Sequence, residues 1–217
     1  MENLVENISK SVAIELLFEE MPTRPTANAI FREARKIFGD INIINRDEND
    51  IEFSVDKFVA YNEDNTTSPV VLAMGNITDF DDKVAVSEFE RTQIWNVANS
   101  EELLSKYKYA VKIWDVNAQR QIPKERAIML VDWLNVALKL YPKCQAIWIK
   151  SAGKLQLAQS IKNLKETGIV KYLYSMVNIR FFNVPNTNEF IVDSVGLANI
   201  GLSDVQFHFK GMNPNKV

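Results

Sequence analysis

The chain has 217 residues, 47% hydrophobic content and 24% charged residues, with a net charge of −3, one cysteine and one histidine. That length and apolar content suit one substantial core. No apolar run approaches the ~20 residues needed to cross a bilayer, the acidic start MENLVENISK is no signal peptide, and the lone Cys144 cannot close an internal disulfide. The expectation is a single domain in a reducing cytoplasm, with no membrane partner.

Charge divides the chain. Residues 1–105 hold 9 Lys/Arg and 21 Asp/Glu, a balance of −12, and residues 106–217 hold 16 and 7, a balance of +9. An acidic half (1–116) and a basic half (117–217) could orient a charged partner or favour self-association. Nucleic acid is not expected, because residues 106–217 have no cluster denser than Lys106, Lys108 and Lys112.

Val12 to Phe18 reads as the first core strand. Pro22 and Pro25 break the chain. Thr26 then caps a helix over Ala27 to Phe38 that stops at Gly39. Asp40 to Asp64 holds 8 Asp/Glu against 2 Lys/Arg, with a strand where Ile51, Phe53 and Val55 alternate with polar residues. Asp47, Glu48, Asp50 and Glu52 lack the spacing and glycine of a calcium loop, so they read as solvated. Val70 to Met74 is a short strand closed by Gly75. Asp79, Asp81 and Asp82 follow as a polar loop. Helices are expected over Glu88 to Trp95 and over Ser100 to Tyr107, the second capped by Ser100.

Tyr109, Val111, Ile113 and Asp115 alternate with Ala110, Lys112 and Trp114 in a further strand. Pro123 opens the clearest helix, with a stripe from Ala127 through Leu130, Leu134 and Ala137 to Tyr141. Cys144 to Ile149 is a buried strand. Ser151 to Lys154 is a loop whose Gly-Lys pair lacks the rest of a phosphate-binding loop. A helix around Leu157 to Thr167 ends at Gly168. Up to residue 116 the elements run strand, helix, strand, strand, helix, strand, the ferredoxin-like βαββαβ order. The expected fold is therefore α+β, with helices packed on a mainly antiparallel sheet. An α/β layer is the alternative.

The stretch from Asn178 to Phe209 is the densest in apolar, glycine and isolated polar residues. Ile179, Phe181 and Val184 read as a buried strand, Pro185 to Asn188 as a turn, and Phe190 to Val192 as a second strand. Asp193 and Ser194 then cap a helical turn ending at Gly201. Val205, Phe207 and Phe209 alternate with Gln206 and His208 in a half-buried strand. Arg180, Asp193, Ser194, Asp204, Gln206 and His208 are the candidate binding cluster. Their plain reading is a structural network, since buried polar groups are paired whatever the function.

No catalytic group, metal site or cofactor is expected. His208 and Cys144 are too few for a zinc site, and no G-x-S-x-G elbow accompanies Ser194.

The run IVDSVGLANIGLSDVQFHF resembles the C-terminal signature of the bacterial DUF4261 domain family, whose function is not characterised. Asn178, Arg180, Phe182 and Asn183 fit its preceding strand. Gln93-Ile94-Trp95, Lys124-Glu125-Arg126 and Ala146-Ile147-Trp148 are weaker matches, so the likeness spans most of residues 10–210. Ser194 stands where the family more often has Thr, and Phe207 where it has Cys. The resemblance implies a further C-terminal segment and a setting near bacterial antagonism and toxin-immunity genes. The functional expectation is a non-enzymatic protein-binding domain, an immunity protein that occludes a toxin. The alternatives are a small enzyme with a site near Arg180, Asp193 and His208, or a subunit that self-assembles.

Overall fold

A computed structural model describes residues 11–47 and 49–211. Its centre is β1 (Ala13–Phe18), which pairs on one side with β5 (Tyr109–Val116) and on the other with β6 (Ala146–Ile149). The seven-stranded sheet is completed by β2 (Ile41–Arg46), β3 (Asp50–Tyr61) and β4 (Thr67–Asp79) beyond β5, and by β7 (Lys154–Leu157) beyond β6. Its order is β2-β3-β4-β5-β1-β6-β7. A second sheet of three strands, in the order β10-β9-β8, contains β8 (Asn178–Asn183), β9 (Glu189–Val195) and β10 (Gln206–Lys210). The architecture is α+β with antiparallel sheets.

Two apolar layers seal much of the large sheet. On one face lie α1 (Ala27–Phe38) and α5 (Pro123–Leu140). Their rings meet the strands edge to face: Phe31 against Phe53 at 5.9 Å, and Trp133 against Phe53 at 5.4 Å. Such geometry suits the ring quadrupole and adds to the burial of apolar area. On the other face, Leu17, Ala110, Ala146, Trp148 and Leu155 are covered by α2 (Asp82–Ala85), α3 (Glu88–Thr92), α4 (Ser100–Lys106) and their connections, through Phe80, Val86, Ile94, Val97, Leu104 and Tyr107. α6 (Ala158–Asn163) follows β7, and α7 (Gly168–Met176) packs against α5.

Local signals act as the residue types dictate. Thr26 Oγ1 accepts from the Ala29 amide at 3.3 Å, and Gly39 ends α1 at φ 76°. Pro123 occupies the first turn of α5, where a missing amide hydrogen costs nothing. Asp115 is buried at the end of β5, where it accepts from Arg126 Nε at 2.9 Å and from the Val12 amide at 2.5 Å. This pair ties β1, β5 and α5 together.

Several expectations need correction. The split βαβ unit of a ferredoxin-like fold needs a parallel strand pair. Every pairing among the described residues is antiparallel, and β2 is an additional strand, so the βαββαβ order does not produce that topology. β4 does not close at Gly75. The register shifts between Met74 and Ile77, and the strand continues to Asp79 past the irregularity. The first carboxylate-rich helix stops at Thr92, and Asn99 rather than Ser100 precedes α4, in a left-handed conformation with φ 55°. Lys154 begins a strand rather than lying in a loop. The helix after β7 ends at Asn163, and Gly168 opens α7 instead of closing a helix. Asp193 and Ser194 lie inside β9, so they cap no helix. The helical turn after β9 is a 3-10 turn over Leu197–Ile200, ended by Gly201 at φ 81°.

Candidate functional site

Residues paired across an antiparallel ladder share a face, so the register sorts the small sheet. Arg180, Asp193 and Gln206 stand side by side, and Phe182, Ile191 and His208 lie next to them on the same face. Arg180 binds Asp193 through Nε, at 2.8 Å, and through its terminal nitrogen, a two-pronged match of guanidinium to carboxylate. Its other terminal nitrogen donates to Gln93 Oε1 at 3.0 Å, which links this face to the α3–α4 connection. The Asp193 carboxylate holds the Arg180 guanidinium above its ordinary pKa. Arg180 also stacks over Phe182 at 5.3 Å, and Phe182 meets Trp95 edge-on at 5.7 Å. His208 Nε2 lies 3.0 Å from Glu189, which Lys210 also approaches.

Ser194 and Asp204 belong to a different network. The Ser194 hydroxyl donates to Asp204 Oδ1 at 3.1 Å and accepts from the Val205 amide at 3.0 Å. Asp204 also accepts from the Leu197 amide, so it fixes the glycine-bracketed turn. Of the six candidates, four share one face and two shape a turn. Arg180 and Asp193 consume each other's charge, and Ser194 and His208 are in separate networks.

Cys144 is buried, donates to the Ala146 carbonyl at 3.1 Å, and is pushed by burial to a pKa of about 12. Such a thiol is no nucleophile at neutral pH. Asp81 caps α2 and Asp82 pairs with Arg91 at 2.8 Å. Asp47 accepts from the Asn49 and Asp50 amides in the β2–β3 turn. Among the described residues no group of three or more His, Cys, Asp or Glu side chains could hold a metal ion.

The junction under the small sheet is tightly built. Lys154 is buried, and its ammonium donates to the carbonyls of Tyr174, at 2.9 Å, and Val177, at 2.5 Å, at the end of α7. A cation suits a helix C-terminus, while desolvation lowers its pKa to about 8. Asn178 bonds the carbonyls of Gln93 and Gly153. Tyr172 donates to the Gly196 carbonyl at 2.7 Å. Gly196 has φ 123°, and a Cβ there would lie 2.9 Å from the Met176 carbonyl oxygen, so a side chain is excluded. Beside this junction an open groove of ≈ 440 Å³ is lined by Ser87, Phe89, Gln93, Lys150, Ser151 and Arg180, among others.

The opposite face of the small sheet is the feature that sequence reasoning missed. Ile179 and Phe181 on β8, Phe190 and Val192 on β9, and Phe207 and Phe209 on β10 share it, with Asn183 and Ser194. Phe181, Phe190 and Phe209 form a ring cluster with centroids 5.3 to 6.4 Å apart. The expected burial of these strands is incorrect: Ile179 is 59% exposed and Phe207 66%. Val205 and Leu202 are exposed nearby. No charged side chain stands on this face. Alternation along VQFHF and NIRFF signalled an apolar face, but nothing in it signalled the missing layer.

Comparison of the chain with protein-family models, curated proteins and solved structures returned no match.

Proposed function

We propose that this is a non-enzymatic protein-binding domain acting in the cytoplasm, an immunity protein that neutralises a bacterial toxin by occluding it. The carrying observation is the uncharged aromatic face of the small sheet, where three clustered phenylalanines are flanked by exposed Ile179 and Phe207. A contiguous exposed apolar patch on an otherwise charged chain is the mark of a protein contact, and aromatic residues are enriched at such contacts. The saturated partners of Arg180, Asp193 and Ser194 favour binding over catalysis. Their hydrogen bonds hold the three strands and the glycine turn in place, so the aromatic face is presented on a fixed scaffold.

The test is co-expression with the product of the neighbouring gene, with the wild-type chain and with an Ile179→Asp/Phe207→Asp variant. A stoichiometric complex and rescue of growth by the wild type, both lost in the variant, are the expected results. Absence of any complex, or equal rescue by the variant, would overturn the reading.

A further inference from the structure

A second surface stands apart from the aromatic face. β2 is the outermost strand of the large sheet among the described residues, paired only with β3. On its free side, alternate amides and carbonyls have no strand partner. Natural edges are commonly blunted by charges, but β2 reads INIINR, with a single charge at its end and no carboxylate. Ile43 and Ile44 on it are 51% and 54% exposed. An irregularity between Ile43 and Asn45 confines the regular part of the edge to Ile41–Ile43.

Ile43 also lines a hollow of ≈ 360 Å³ against α1, together with Asn28, Phe31, Arg32 and Arg35. This hollow is basic, although it lies in the acidic half of the chain. Glu33 is shared by Lys36 at 2.6 Å, Lys139 at 2.7 Å and Arg32 at 3.6 Å. Hydrogen bonds from Lys139 and Lys36 hold the Glu33 carboxyl down at about 2, so it stays ionised and occupied. Arg35, exposed in the last turn of α1, has no carboxylate partner among the described residues. Of the two arginines that line the hollow, Arg32 approaches Glu33 and Arg35 does not. Asp56 on the neighbouring strand is engaged by Asn42.

We propose that β2 accepts an extended acidic segment of a partner protein as an added strand, with its apolar side chains on Ile43 and Phe31 and its carboxylates on Arg32 and Arg35. Strand addition supplies main-chain hydrogen bonds, and alternate side chains supply the selectivity. A guanidinium pair on one rim selects carboxylates by matching geometry as well as charge. A basic segment would be repelled by Arg32 and Arg35.

The probe is a fluorescein-labelled peptide of about eight residues, a common strand length, alternating glutamate and valine. Controls replace glutamate by lysine, or place proline at its centre. Fluorescence anisotropy with the full chain is expected to show binding of the acidic peptide alone, weakened by salt. An Arg32→Glu/Arg35→Glu variant is expected to bind at least about tenfold more weakly, as loss and reversal of charge at a rim predicts. Both arginines are exposed, and circular dichroism checks that the variant is folded. Hydrogen exchange should slow in β2 when the peptide is bound. Equal binding of acidic and basic peptides, undiminished binding to the variant, binding of the proline peptide, or protection at another strand would each overturn the proposal. None of these results bears on the aromatic face, which is tested by its own variant.

Discussion

Phe53 and Phe207 are both phenylalanines on antiparallel strands, yet Phe53 is wholly enclosed and Phe207 is 66% exposed. The difference lies in the layers above them. Over Phe53 stand Phe31 and Trp133, delivered by two helices whose starts and stops are fixed by Thr26, Gly39 and Pro123. Over Phe207 no described helix stands, and its neighbours are other exposed or half-buried apolar groups. The large sheet uses its apolar residues to fold. The small sheet is held by polar pins at its margins, Arg180 with Asp193 and Ser194 with Asp204, which leaves its aromatic side available.

That contrast can be broken from either end. The largest effect is expected inside the large sheet. Asp115→Asn removes the buried carboxylate charge that Arg126 and the Val12 amide share, and should lower the unfolding free energy by about 3–5 kcal/mol, read by urea titration. Phe53→Ala should cost a similar amount, about 3–5 kcal/mol, because the rings around it cannot close the cavity. At the junction beneath the small sheet, Gly196→Ala forces a Cβ against the Met176 carbonyl at positive φ. It should destabilise by about 2 kcal/mol, and hydrogen exchange should show the loss concentrated in β8–β10.

Lys154 gives a pH signature at the same junction. Its folded pKa lies near 8, below the ordinary lysine value of 10.5, so the folded state gives up this proton first. The cost of burying the charge is fully present below pH 8 and is relieved as pH rises towards 10. Relative to Lys154→Met, the wild type should therefore gain on the order of 2 kcal/mol between pH 8 and 10. Comparison with the variant removes the opposing contribution of the buried tyrosines. Tyr107 and Tyr141 are raised to about 12 and Tyr172 is raised as well, so they keep their protons longest in the folded state. The smallest effect on stability is expected at the open face, where Phe207→Ala should change unfolding by no more than about 0.5 kcal/mol while weakening partner binding.

The same contrast explains what could be read from the residues. Thr26, Gly39 and Pro123 act through neighbours a turn away, and their elements have the expected bounds. Gly168 reads as a helix stop, but a glycine at positive φ serves the entry to a helix as well as its exit, and here it precedes Ile169 and Val170 in α7. β7 is only four residues long, and its Lys154 is a charged residue whose burial depends on carbonyls twenty and more positions away. In the candidate cluster, Arg180 and Asp193 are grouped from the residues alone, but Asp193 reads as a helix cap, and its pairing with Arg180 emerges only because β9 runs on to Val195. The separation of Ser194 and Asp204 was not legible either, since it depends on which way β9 is turned. Alternation in Val205, Phe207 and Phe209 marks a one-sided strand. Whether another layer covers that side is a property of the whole fold.

The most direct test of the aromatic face is hydrogen exchange of the amides in β8, β9 and β10, measured on the free chain and on its complex with the neighbouring-gene product. Slower exchange in these strands on binding, with the large sheet unchanged apart from its edge, is the predicted result. Unchanged exchange across residues 178–210 in a formed complex would contradict the assignment of this face as the binding surface.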